Sequence, residues 1–127
     1  MDKAKQFENV LALKKKMWTC DEKTYVEHVE KMLTILHEIL AADKKNCTAL
    51  INLGAINCHL GNYEKAKSLL LEVKSLNSED KNLFLNLGYV SIYLTEPQEI
   101  YSEYLEIAKT KKSGVCTFEA YFDGLAH

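Results

Sequence analysis

One period governs this chain. Asn52-Leu53-Gly54 recurs as Asn86-Leu87-Gly88 at an offset of 34 residues. At the same offset Leu60 matches Leu94, Ser68 matches Ser102, and Leu71-Glu72 matches Leu105-Glu106. Leu50 with Phe84, Ile51 with Leu85 and Val73 with Ile107 pair conservatively. Self-similarity at a fixed period of this length marks a repeat architecture, whose units cannot bury their apolar faces alone and stack on their neighbours. Proline occurs once, at Pro97, and glycine five times. That scarcity of breakers favours long helices over a turn-rich β fold.

The pattern resembles the tetratricopeptide repeat (TPR) family, in which a large apolar residue is followed by Leu-Gly and then by a small and a large residue of the second helix. Leu50, Leu53, Gly54, Ala66 and Leu70 supply it over residues 47–80, and Phe84, Leu87, Gly88 and Tyr104 over residues 81–114. A glycine there lets the second helix approach closely. Ile100 stands at the small-residue position of the second repeat and is expected to pack over Gly88. Thr95 replaces Gly61 in the inter-helix turn; Thr95-Glu96-Pro97-Gln98 reads as a capping box, with Thr95 the N-cap. Asn62 is the expected cap before Tyr63.

The same offset weakly relates Glu30-Lys31, Leu36 and Glu38 to Glu64-Lys65, Leu70 and Glu72, so residues 1–46 read as a degenerate helix pair. Phe118, Tyr121 and Phe122 fall one period after Phe84, Leu87 and Gly88, which predicts a capping helix in residues 115–127, with Ser113 as its N-cap and Gly124 at its end. The expected fold is all-α, a TPR-type right-handed solenoid of antiparallel helix pairs. About seven helices are expected, over 3–18, 23–42, 47–60, 63–76, 81–94, 97–111 and 115–123.

The chemistry-bearing residues give no catalytic constellation. Ala41 occupies the place of the second histidine after His37-Glu38, so no zinc-protease helix forms. Cys20, Cys47, Cys58 and Cys116 include no CxxC pair and are expected to be free thiols. Cys58-His59 reads as a small cysteine beside a solvated imidazole, and the glycines are isolated rather than gathered in a phosphate loop. The expectation is a non-enzyme without cofactor or metal. Net charge is -2 at pH 7, with sixteen lysines and no arginine, which disfavours nucleic acid as partner. No apolar run approaches a membrane span, and the N-terminus has no signal-peptide pattern. A cytoplasmic protein is expected.

The TPR resemblance implies that the first helix of each repeat lines a concave groove for a protein or peptide partner. The partner-binding residues it points to are Ile51, Asn52, Ala55, His59, Leu85, Asn86, Tyr89 and Tyr93; Thr48, Cys58, Asn82 and Ile92 complete the lining. The carboxylate clamp of the co-chaperone subfamily is rejected, because Ala55, Tyr89, Ile51, Cys116 and Ala120 occupy its positions. The implied function is a non-catalytic protein-interaction module. The alternatives are a self-associating scaffold, as a homodimer, and a small TPR chaperone for a secreted client. Asn57 is expected to be exposed.

Overall fold

In the computed structural model, residues 2–16 and 22–120 are described. They form six helices: α1 (Lys3–Lys16), α2 (Glu22–Ala42), α3 (Cys47–His59), α4 (Tyr63–Ser75), α5 (Lys81–Tyr93) and α6 (Gln98–Ala108). Each helix packs on the next in the chain, and α3 also packs directly on α5. Among the described residues there is no strand, only an isolated bridge between Asp80 and Lys112.

The helices begin and end where local chemistry says they should. Asn46 caps α3 by accepting the Ala49 N–H at 2.9 Å. Asp80, one period later, caps α5 by accepting the Asn82 N–H at 2.9 Å. Both satisfy backbone donors that the first turn leaves open. Asn62 does precede α4, but its side chain makes no capping bond; its Nδ2 donates to Asn57 Oδ1 at 3.4 Å instead.

The ends of α3 and α5 are built alike. Gly61 has φ +85° and Thr95 has φ +55°. Gly61 N–H donates to the Cys58 carbonyl and Asn62 N–H to the Asn57 carbonyl, while Thr95 and Glu96 repeat the pair on Ile92 and Ser91. Thr95 is therefore the left-handed residue that stops α5, not the N-cap of α6. Pro97 takes the N-cap position of α6 without a side-chain bond. The capping-box reading fails because the turn must first close the carbonyls of α5, and only a left-handed residue does that here.

The α5–α6 connection, residues 94–97, is one residue longer than the α3–α4 connection, residues 60–62. The first helices of the two repeats consequently match at an offset of 34 and the second helices at 35. A Cβ placed on Gly54 would stand 2.7 Å from Leu70 Cδ2, and one on Gly88 would stand 2.7 Å from Leu105 Cδ2. Leu105 thus takes the place of Leu70, not of Leu71, which is exposed. Ile100 does not pack over Gly88: it too is exposed, and Leu105 with the Tyr101 backbone closes on that glycine instead. Ala108 answers Val73, and both are buried.

The core runs through the stack from Phe7 and Val10 of α1, through Met32, Leu36 and Ile39 of α2, to Leu83, Leu87 and Val90 of α5. α3 is its centre. Every residue from Ala49 to Cys58 is buried, the polar Asn52 and Asn57 included. Asn57, expected outside, instead donates from Nδ2 to the Leu53 carbonyl at 2.8 Å. A helix buried all round needs cover on every side. α2, α4 and α5 supply three sides, and the segment after α6 supplies another.

That segment departs most from expectation. Residues 113–120 form no helix, so there is no capping helix over 115–120; Tyr121, Phe122 and Gly124 lie outside the described residues, as do Met17, Trp18 and Cys20. The chain leaves α6, bridges to the start of α5 through the Lys81 N–H on the Lys112 carbonyl at 3.0 Å, and then runs over α3 and α5. The physical reason is competition for backbone groups. A helix would satisfy its own N–H and C=O groups, whereas here buried amides of α3 and α5 satisfy them from outside.

Candidate peptide groove

Asn52 and Asn86 each sit at the sixth position of their helices, α3 and α5, and each is fully buried. A buried primary amide presents two donors and an acceptor that must be met. Here the segment after α6 meets them. Asn52 Nδ2 donates to the Cys116 carbonyl at 2.9 Å, and the Phe118 N–H donates to Asn52 Oδ1 at 3.2 Å. One step further, Asn86 Nδ2 donates to the Phe118 carbonyl at 3.1 Å, and the Ala120 N–H donates to Asn86 Oδ1 at 2.5 Å. Each asparagine thus brackets two residues spaced i and i+2, as a neighbouring strand would.

The side chains of the segment are held separately. The Thr117 hydroxyl donates to Asp80 Oδ2 at 2.9 Å and accepts from Asn82 Nδ2 at 3.0 Å. Asp80 also accepts the Gly114 N–H at 3.2 Å, so one carboxylate both caps α5 and anchors the segment. Phe118 is buried, with Lys14 Nζ of α1 lying 5.1 Å from its ring centroid, a cation–π distance. Tyr89 OH donates to Glu119 Oε2 at 3.3 Å. Burial first, and then the Glu119 carboxylate, pushes the Tyr89 phenol above its ordinary range. Burial pulls the Lys14 ammonium down, opposed by the attraction of Glu119. Val115 stands out in solvent, 96% exposed.

Three of the eight expected binding residues, Asn52, Asn86 and Tyr89, converge on residues 116–120. The other five are placed differently. Ile51 and Ala55 lie in the core and Leu85 is half-buried against it. His59 Nε2 is hydrogen-bonded to Tyr25 OH of α2, their rings tilted at 58°. Tyr93 stacks on Tyr63 of α4, with ring centroids 4.8 Å apart and planes 5° from parallel. Ile92, expected in the lining, is exposed. Cys116 and Ala120, tested as clamp positions on a helix, belong to the bound segment itself.

Sequence reasoning did not single out Asp80 or the segment as an occupant, and it reads Lys14-Lys15-Lys16 only as a solvated helix end, whereas Lys14 lies over Phe118. The available signal was Asp80 itself, which falls one period after the cap Asn46. Among the described residues no group of three or more His, Cys, Asp or Glu is arranged to hold a metal ion, and no helix is long and apolar enough to cross a membrane. No family model matches the chain, and neither the curated proteins nor the solved structures compared with it yield a match.

Proposed function

We propose that the chain is a non-catalytic, TPR-type protein-interaction module that holds an extended peptide on the face formed by α3 and α5. In this reading residues 116–120 occupy that face in cis. The observation that carries it is the shared grip on Phe118: its N–H goes to Asn52 and its C=O to Asn86. Backbone recognition by amide side chains needs no particular ligand sequence, and its repetition at the 34-residue period is what a peptide-lining helix pair provides. The alternative of self-association through Tyr89 and Tyr93 draws less support, because Tyr89 already bonds to Glu119 and Tyr93 already stacks on Tyr63.

The test is amide hydrogen exchange on the full chain by NMR. Phe118 and Ala120 are expected to be protected, and Asn52→Ala and Asn86→Ala to remove that protection while the α3 and α5 amides keep theirs. Rapid exchange at 118 and 120 in the unaltered protein counts against the reading.

A further inference from the structure

The backbone grip explains how a strand is held, but not why these residues are held. Four consecutive side chains meet four different environments. Thr117 is read through its hydroxyl by a carboxylate and an amide, Asp80 and Asn82. Phe118 is buried under the Lys14 ammonium. Glu119 accepts from the Tyr89 phenol and feels the Lys14 charge. Ala120 is 2% exposed, leaving little room for a larger side chain. Val115, two residues before Thr117, stands out in water.

These fixings differ from those of the core. Thr117 is fixed by several polar contacts and Glu119 by one, and the segment adds only Phe118 and Ala120 to the buried apolar cluster. Such contacts discriminate strongly, because a mismatched ligand leaves a buried polar group unpaired. Asn52 lies in α3, Asn86 in α5 and Asp80 caps α5, so all three belong to the helical stack and not to the segment.

Resting on the peptide-groove reading above, we infer that the face of α3 and α5, with Lys14 of α1 at its edge, selects an extended partner segment of the order hydroxyl, aromatic, acid, small. Residues 117–120 are its cis competitor. The partner is a protein segment carrying that order. The tether through Lys112 and Gly114 holds the cis copy at an effective concentration on the order of millimolar. A partner presenting only the backbone does not displace it, and one that presents the full order at high local concentration does.

The experiment uses the full chain and a fluorescein-labelled peptide of the sequence 113–120, with Cys116→Ser, which keeps the carbonyl that Asn52 engages and removes a free thiol. Binding is read by fluorescence polarisation. Two latch-weakened chains are compared with the unaltered one: Phe118→Ala, and Thr117→Val, which leaves the aromatic site filled. Both are checked for helical circular dichroism. Each is expected to bind the peptide about tenfold or more tighter than the unaltered chain. Peptides carrying Thr117→Val or Glu119→Lys are expected to bind the Phe118→Ala chain about tenfold more weakly than the matched peptide. A scrambled peptide that binds as well as the matched one overturns the sequence selection while leaving the backbone grip standing. A folded chain whose 118 and 120 amides exchange freely, yet which binds no peptide, overturns both. A dimer by light scattering that dissociates on adding the peptide places the competitor in trans and overturns its cis assignment.

Discussion

Asn52 and Asn86 hold the two ends of one residue: the Phe118 N–H donates to the first at 3.2 Å and the Phe118 carbonyl accepts from the second at 3.1 Å. Removing either amide leaves a buried peptide group without a partner, which costs about 1–3 kcal/mol. Asn52→Ala and Asn86→Ala are each expected to lower the urea stability by that amount. Because both act on Phe118, the double variant is expected to lose less than the sum, by about 0.5 kcal/mol or more. A strictly additive cycle would show that the two amides do not share a ligand.

The glycine contacts give a second test. A side chain at Gly54 meets Leu70, itself fully buried. Gly54→Leu is expected to destabilise by about 1–3 kcal/mol through overpacking. Ser68→Ala on the exposed face of α4 is expected to stay within about 0.5 kcal/mol. Thermal unfolding of the two variants separates them, and equal midpoints would refute the close approach of α3 and α4.

Thr95 carries a β-branched side chain at φ +55°, where left-handed backbone costs an L-residue roughly 1–2 kcal/mol. Thr95→Gly relieves that strain but adds freedom to the unfolded chain, worth about 0.5–1 kcal/mol the other way. The expected net is a gain of up to about 1 kcal/mol. Gly61→Thr, at the matching position of the first repeat, is expected to lose stability. Denaturant midpoints check both signs, and a loss in Thr95→Gly would contradict the strain.

Lys67 Nζ lies 2.6 Å from Glu96 Oε2, a pair largely shielded from solvent. The hydrogen bond from Lys67 pulls the Glu96 carboxyl below its ordinary 4.5. A depressed folded value means the stabilisation is present above the unfolded value and lost as pH falls through the folded one. The unaltered protein is expected to exceed Glu96→Gln in stability at pH 7, with the gap closing below about pH 4.5. A gap that persists unchanged to pH 2 would assign the effect to packing.

Burial pushes the Cys58 thiol up to about 11 from its ordinary 9.0. The thiolate is the reactive form, so a rise of this size cuts it roughly a hundredfold at neutral pH. In the folded protein Cys58 is expected to alkylate at least that much more slowly than it does in denaturant, measured by mass spectrometry of time-quenched samples. Fast alkylation of Cys58 under native conditions would mean that α3 is less covered than described.

Much of the fold was legible because the repeat writes its own constraints. The recurrence of Asn-Leu-Gly located α3 and α5 to within a residue of their ends, and the two glycines do face the second helices of their own repeats. It also put Asn52, Asn86 and Tyr89 on the helices that meet residues 116–120. The second helices were less legible, since one extra residue between Leu94 and Gln98 moves α6 a residue out of step with α4, and a fixed period cannot register an insertion. The segment after α6 was not legible at all. Phe118, Tyr121 and Phe122 have helical spacing, yet residues 113–120 form no helix, and what holds Phe118 comes from Asn52 and Asn86, 66 and 32 residues away. Local pattern carries no trace of a partner so distant along the chain.

The double grip on Phe118 also works as a spacer bar between two helices. Two residues of extended chain span about 6.8 Å, whereas packed helix axes lie roughly 8–10 Å apart. Asn52 of α3 and Asn86 of α5 take the N–H and the C=O of the same residue, and both can hold the segment only while the two helices keep one separation. Spreading the two helices slackens one clamp before the other. Whatever lies on this face therefore bears on the spacing of α3 and α5, which also pack directly on each other.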